Sequence, residues 1–328
     1  MPDDKITAKN VAMAADPMSR FEKGERLLQL IERAKEFEPV NTAVVHAVEP
    51  VSLRGTLAAA EAKLITPIFI APKEKLEKAA KDVEVSLDGY EIFDAAHSHD
   101  AAAIAVDLAR KGRADAIMKG ALHTDEIMCE VVSGDSGLRT ERRLSHIYVM
   151  DAPLYPKLLF ITDAAINIAP TLDEKRDIVQ NAIDLARALG VEVPKVAILS
   201  AVETVYPKIA STIDAAALCK MADRGQIRGG VLDGPLAFDN AISPEAAATK
   251  GLKSPVAGQA DILAAPDIDA GNILAKQLDY LAGAVAAGIV LGARVPIMLT
   301  SRAETSLPRM ASCAVASLYI HRRIEAAL

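Results

Sequence analysis

Three stretches of this 328-residue sequence put polar side chains where an apolar run stops and a helix begins. In Lys119-Gly-Ala-Leu-His123-Thr124-Asp-Glu126 a strand ends in a flexible glycine, and Thr124 stands where it would cap a helix opening with Asp125 and Glu126. In Ala265-Pro-Asp-Ile-Asp-Ala-Gly-Asn272, Asn272 would cap a helix over residues 273–287, whose free N–H groups suit an anion. Asp267 and Asp269 read as turn formers and caps rather than metal ligands. The third stretch is Val295-Pro-Ile-Met-Leu-Thr-Ser301-Arg302-Ala-Glu304-Thr-Ser306. An arginine there can grip an oxyanion through two parallel hydrogen bonds, and the serine beside it can orient a nucleophile. Open α/β sheets take their ligands beyond the carboxyl ends of their strands, which is where all three stretches fall. The densest basic cluster, Leu138-Arg139-Thr-Glu-Arg142-Arg143, is either a phosphate site or a solvated turn.

Other chemistries leave no mark. GxGxxG, the P-loop, the GxSxG elbow and HExxH are all absent. His97-Ser98-His99 has no further ligand at useful spacing and reads as a cap or surface turn, so no metal is expected. The net charge of −7 argues against a nucleic-acid partner, which wants a broadly basic face, but a small anion needs only a local cluster. The apolar run 281–293 is too short and too rich in Ala and Gly to cross a bilayer, so no membrane partner is expected. The opening Met-Pro-Asp-Asp-Lys lacks the basic start and apolar block of a secretory signal. Cys129, Cys219 and Cys313, without CxxC spacing, read as three buried thiols in a reducing compartment, and the expected location is cytoplasmic.

The elements that must hold these residues alternate. Strands are expected at 42–48, 67–71, 91–93, 114–118, 146–150, 158–162, 195–199, 229–232, 261–264 and 295–300. Helices are expected at 21–37, 52–64, 100–111, 172–189, 273–287 and 306–326. The clearest helix starts at a capping box, Thr171 with Glu174, and ends at Gly190. With 51% hydrophobic and 25% charged residues the chain is globular, and its length allows roughly two domains. Alternation of this kind favours mostly parallel sheets flanked by helices. The expected division is a loose extension at 1–20, a first α/β domain at 21–145 plus 290–328, and a second at 146–289. A cleft between two such domains is the natural ligand site.

At these residues the chain resembles the phosphate acetyltransferase/phosphate butyryltransferase family, from about Val40 to the C-terminus. Four ordered motifs carry the resemblance: Met118-Lys-Gly-Ala-Leu-His-Thr124, Ile161-Thr-Asp-Ala-Ala-Ile-Asn-Ile168, Pro266-Asp-Ile-Asp-Ala-Gly-Asn272 and Pro296-Ile-Met-Leu-Thr-Ser-Arg302. Leu138-Arg-Thr-Glu-Arg-Arg143, Lys220-Met-Ala-Asp-Arg-Gly-Gln226 and Asp233-Gly-Pro-Leu-Ala-Phe-Asp-Asn240 are similar to a narrower branch, in which the module follows an enoyl-CoA hydratase domain. The resemblance implies two α/β domains arranged as in isocitrate and isopropylmalate dehydrogenases, an interdomain cleft, and a homodimer. It implies acyl phosphate plus CoA giving acyl-CoA plus phosphate, with CoA a substrate and no tightly bound cofactor. Ser301 would orient the thiol and Arg302 hold the acyl phosphate. Lys119, His123, Thr124 and Asn272 would lie in the cleft. Arg139, Arg142 and Arg143 are the choice for the CoA phosphates on charge alone.

One departure stands out. Acetyl-specific members carry an Asp seven residues after the motif serine, where this chain has Pro308. Glu304 is the nearest carboxyl and is similar to the acidic residue of the butyryl-type Ser-Arg-x-Asp, which makes it either a base for the thiol or a carboxylate at a helix start. The rival readings are a butyryltransferase, a non-catalytic acyl-CoA-binding module, and a metal-dependent decarboxylating dehydrogenase on the same fold.

Overall fold

Runs of β-branched residues alternate with amphipathic helices as expected, in a computed structural model that describes residues 23–134, 137–299 and 306–327. The extension at 1–20 lies outside them. The chain begins α1 (Glu25–Ala34), β1 (Val40–Val45), α2 (Pro50–Glu61), β2 (Ile65–Ala71), α3 (Lys73–Asp82), β3 (Glu91–Asp94), α4 (Ser98–Arg110), β4 (Ala116–Lys119) and α5 (Thr124–Val131). It continues β5 (Ser145–Asp151), β6 (Leu159–Thr162), α6 (Leu172–Ala188), β7 (Lys195–Leu199), α7 (Ala210–Asp223), β8 (Val231–Leu236), α8 (Phe238–Ile242), α9 (Pro244–Thr249), β9 (Ile262–Ala264) and α10 (Ile268–Ala282). It closes with β10 (Val285–Leu291), β11 (Ile297–Met298) and α11 (Ser306–Ala327).

The strands form one sheet rather than two, in the order β3-β2-β1-β4-β11-β10-β5-β6-β9-β7-β8. On one side β3, β2, β1, β4 and β11 are parallel. On the other β6, β9, β7 and β8 are parallel. Between them β10 and β5 pair antiparallel with each other, and each is antiparallel to its outer neighbour. The two parallel halves therefore run in opposite directions.

Local signals set most boundaries. Thr171 accepts from the Glu174 N–H at 3.4 Å while Glu174 accepts from the Thr171 N–H at 2.8 Å, so the capping box opens α6 as read. In α1 the spacing of Leu27, Leu30, Ile31 and Ala34 buries one face. Its first turn is held by Arg26, whose Nη1 lies 2.5 Å from the Asp151 carboxylate and whose Nη2 donates to the Tyr155 carbonyl at 2.7 Å. Removing one partner from a buried pair of this kind costs about 3–5 kcal/mol.

Three expectations need correction. The helix expected at 273–287 starts at Ile268 and stops at Ala282, where Gly283 takes φ 66° as a left-handed cap, and a strand, β10, follows. The Ala-Val-Ala-Ala-Gly-Ile-Val-Leu run has no polar face because both of its sides are covered, so periodicity could not separate strand from helix. The strand expected at 295–300 is reduced to Ile297–Met298, with Thr300 outside the described residues. Of the three cysteines only Cys313 is buried. Cys219 is half-buried, and Cys129 is exposed because α5 turns Ile127 and Val131 inwards.

Candidate active site

The sheet register assembles the site. At one level, Val44, Met118, Met298, Ile289, Ile147 and Thr162 stand side by side across β1, β4, β11, β10, β5 and β6. Successive side chains alternate between faces, so one step on, Val45, Lys119, Leu299, Gly288, Tyr148 and Ile161 share the opposite face. The two faces differ. On the first, a single apolar cluster runs without a break from Val44 and Met118 through Ile289 and Ile147 to Val196 and Ile198. On the second, the core splits into one cluster around Val45, Ile117 and Leu299 and another around Ile161, Leu263 and Leu199. The break falls at β10 and β5, beside Gly288, and divides this face, on which the expected cleft would lie, between the two halves.

Lys119 ends β4 on that cleft face and is 6% exposed. Gly120 follows because the chain passes tightly under the end of β1. Its N–H donates to the Val45 carbonyl at 2.8 Å, and a Cβ would lie 2.5 Å from the same oxygen. Close approach, rather than flexibility, is the reason for glycine here. The His46 ring pairs with the Ala121 carbonyl at 3.0 Å, and burial lowers its pKa. His123, not Thr124, occupies the N-cap of α5; Thr124 is the first helical residue. The His123 N–H donates to Glu126 at 3.1 Å, and Ser98 at the start of α4 donates to the other Glu126 oxygen. Burial opposes the Glu126 anion, but these hydrogen bonds outweigh it and hold the carboxyl below its ordinary value. Glu126 thus ties two helix starts together and leaves the His123 side chain exposed at the rim. His97 caps α4 by accepting from the Asp100 N–H at 3.3 Å, as read.

Opposite this wall, the motif 161–168 wraps around Asp163. Its carboxylate accepts from the N–H groups of Ala165 at 2.9 Å and Ile166 at 3.0 Å and from the Asn167 amide at 2.5 Å. Burial still raises its pKa. Asn272 joins here, but not as a helix cap. Asp267 caps α10 by accepting from the Ala270 N–H at 2.9 Å, and Asn272 donates to the Ala164 carbonyl at 2.9 Å from the second turn. Its task is to fix the 163–168 turn to α10.

The three arginines separate. Arg143 donates to Asn167 at 2.7 Å and lies 3.1 Å from Glu174, which brings it beside the 161–168 motif. Arg142 turns to the other side, 2.5 Å from Asp184, and lines a different groove with Arg33, Arg187 and Tyr319. Arg139 is exposed and bridges Ala293 through its backbone. The chain bends at residues 141 and 142, and the neighbouring arginines leave it on different sides. Ser301, Arg302 and Glu304 lie outside the described residues. Their flanks are Leu299, whose N–H donates to the Gly288 carbonyl at 3.3 Å, and Ser306, the start of α11.

Two residues of the cleft floor were not on the sequence list. His146 is 1% exposed, and burial pushes its imidazole down to about 3, so it is neutral. Its ring stands edge-on to Tyr148 at 4.4 Å. The available signal was two polar rings, two residues apart, in the run His146–Met150, whose other residues are apolar. Among the described residues no group of three or more His, Cys, Asp or Glu could hold a metal ion. No described helix is long and apolar enough to cross a membrane.

The family model "Phosphate acetyl/butaryl transferase" matches residues 95–317. A phosphate acetyltransferase from Rhizobium meliloti is 60% identical over 295 residues, covering 90% of this chain and 93% of that protein. A phosphate butyryltransferase from Clostridium beijerinckii is 40% identical over 294 residues, covering 90% and 97%. Among solved structures, a branched-chain phosphotransacylase from Enterococcus faecalis V583 superposes with a TM-score of 0.75 at 30% identity, covering 86% of this chain and 99% of that one. Sequence and fold agree over nearly the whole length, and the chain belongs to the phosphate acetyl/butyryl transferase family of acyltransferases.

Proposed function

We propose that this protein interconverts acetyl phosphate plus CoA and acetyl-CoA plus phosphate. The observation that carries the reading is the alignment of Lys119 with the end of β11, from which the chain enters Ser301-Arg302. A buried cation at one strand end and an arginine following the next suit a phosphoryl group bound at the cleft. The nucleophile is the CoA thiolate, and a thiol of pKa ~8.5 is only partly ionised near neutrality. In the proposed step Ser301 orients the thiol and Glu304 takes its proton. The sulfur bonds to the acyl carbon, and the carbon–oxygen bond to phosphate breaks with its electron pair left on phosphate. Arg302 meets the charge that grows on that leaving group, where a preorganised donor stabilises the transition state most.

CoA enters as a substrate, with Arg143 the best supported of the three arginines for its phosphates and Arg139 a further candidate at the surface. Arg142 is committed to Asp184 and is the weakest. The domain division at 145/146 and 289/290 is supported by the seam at β5 and β10. A homodimer is supported by α10, which turns Ile273, Tyr280 (79% exposed) and Leu281 (84% exposed) outwards, with Ile168 exposed at its start; apolar area of this kind is ordinarily covered by a partner. A cytoplasmic location is supported by three free thiols, one of them exposed. Turnover of acetyl phosphate with CoA by the purified chain tests the reading. Binding of acetyl-CoA without any turnover would leave only the binding-module alternative.

A further inference from the structure

The helices that seal the first face of the sheet leave a large hollow between them. The ends of α1 and α6 and the C-terminal half of α11 enclose a groove of about 930 Å³ beside the unbroken apolar cluster, on the side of the sheet opposite the expected cleft. Small-molecule sites span about 300–1,000 Å³. α1 packs on α11 and α11 on α2, within the half of the sheet built on β1 and β4, whereas α6 follows β6 in the other half. The groove therefore straddles the seam at β10 and β5.

Its lining joins two chemistries. Phe37, Val191 and Leu318 give it apolar surface, with the Phe37 ring stacked on His321 at 4.7 Å. Guanidinium groups stand around them. Two are neutralised, Arg142 by Asp184 and Arg322 by Glu325 at 3.0 Å. Arg33, Arg187 and Arg323 meet no carboxylate among the described residues. A smaller hollow of about 340 Å³ shares Arg187 with the groove and adds Arg228, which also lacks a described carboxylate partner. Glu36 and Glu192 line the groove too, both exposed. Every cation of the lining is arginine and none is lysine, which suits planar, two-point recognition of phosphate and stacking on rings. Arg33 and Arg187 lie in the last turns of α1 and α6, where a cation suits the helix end, and Arg33 donates to the Leu189 carbonyl at 2.9 Å. Helix ends account for one arginine each. They do not account for convergence with Arg323 and Arg228 around an apolar floor.

We infer that this groove binds a nucleoside di- or triphosphate, its base on the Phe37 and Leu318 surface and its phosphates across Arg33, Arg187 and Arg323, and that occupation lowers activity at the opposite face. A polyphosphate held by Arg33 and Arg323 on one side and Arg187 on the other ties the two halves of the molecule together. Contacts that draw the halves together on this face loosen their approach on the other. The link to the candidate site is short. Asn181 lines the groove and donates to the Arg143 carbonyl at 2.9 Å, and the Arg143 side chain holds Asn167 of the 161–168 turn at 2.7 Å. A ligand shifts such an equilibrium only by its difference in affinity for the two arrangements, and a coupling of this kind is typically about 5–150-fold. Only the effect on turnover rests on the acyltransferase reading above.

Isothermal titration calorimetry of the full chain with ATP, without Mg²⁺, compares wild type with Arg187→Ala, Arg323→Ala and the double variant. Wild type should bind ATP, and tripolyphosphate, which has no base, and adenosine, which has no phosphate, should each bind more weakly. Each alanine variant should lose about 10-fold in ATP affinity, the scale of one charged hydrogen bond, with circular dichroism unchanged. Arg187→Lys should recover only part of the loss. ATP should lower the wild-type kcat/KM for acetyl phosphate by about 5-fold or more. The double variant should keep the wild-type kcat/KM without ATP and escape the inhibition. Undiminished ATP binding by the folded double variant would overturn the site, since the nucleotide would then sit elsewhere. Tripolyphosphate bound as tightly as ATP would overturn the nucleotide assignment, and so would a wild type that ignores millimolar ATP. Failure of the acyltransferase reading would show separately, as ATP binding by a wild-type protein that does not turn over acetyl phosphate.

Discussion

The two faces of β5 and β10 are built from the same two strands and come out differently. The face carrying Ile147 and Ile289 is sealed by one apolar cluster that spans both halves of the sheet. The face carrying Tyr148, His146 and Gly288 is where the core breaks in two. At the middle of the strand pair, alternation puts His146, Tyr148 and Gly288 on one side and Ile147, Val149 and Ile289 on the other, so stability and chemistry are separated by a single residue step. Substitutions on the sealed face should therefore cost folding and spare turnover, and those at the cleft should do the reverse.

The largest expected effect is on the sealed face. Phe160 is fully buried there, and Phe160→Ala should cost about 3–5 kcal/mol in denaturant unfolding, while activity per folded molecule stays near wild type. A comparable loss of kcat in the folded fraction would mean that the faces are not separable. On the cleft side, Arg302→Ala should lower kcat/KM for acetyl phosphate by about 10²–10³-fold, or roughly 2.7–4 kcal/mol, with circular dichroism unchanged. Arg302→Lys should recover only part of this, since a point charge cannot reproduce the planar fork. A folded alanine variant within about threefold of wild type, far short of the expected loss, would move the phosphate clamp to Arg139 or Arg143. Glu304→Gln should reduce kcat by about 10²-fold with little change in KM and displace the acid limb of the pH profile. An unaltered profile would leave Glu304 as a carboxylate at a helix start.

Smaller is the acid sensitivity set by His146. Its folded value of about 3 lies below the ordinary 6.5, so the unfolded chain binds a proton that the folded protein refuses. Stability should then fall as pH drops from about 6.5 towards 3, by up to about 1.4 kcal/mol per pH unit. His146→Leu should flatten that slope. Asp163, whose raised pKa acts in the opposite sense, is present in both proteins and cancels in the difference. Identical slopes between pH 6 and 4 would show that His146 is protonated in the fold. Least of all, excess EDTA should leave CoA acylation unchanged; a loss restored by Mg²⁺ or Mn²⁺ would return the dehydrogenase-like reading.

Local chemistry made much of this legible. Thr171 with Glu174 announced α6, and the spacing in α1 announced its buried face, because both depend on residues within two turns. The end of β4 was found to within one residue because punctuation there is also local, whereas β11 stops at Met298 and not at Thr300. What sequence could not supply was the register of β11 on β10 on β5, which joins residues far apart in the chain and alone makes Lys119, Gly288 and Tyr148 neighbours. The apolar run of β10 hid the central strand, since a segment covered on both sides has no polar period to read. Arg142 and Arg143 looked equivalent by charge, and only the direction of each side chain separates them.

The seam itself limits how the enzyme can move. Seven consecutive residue pairs join β10 to β5, from Val285 with Asp151 to Leu291 with Ser145. Enzymes whose lobes meet through loops can close by swinging about a few soft dihedrals, but here such a swing would tear a hydrogen-bonded ladder. The compliant coordinate left to the molecule is torsion, a change in sheet twist about the strand axes that narrows the cleft while every rung stays intact. In amide exchange, the rungs of β5 and β10 should therefore be among the last to open and should respond to ligand no differently from the outer strands.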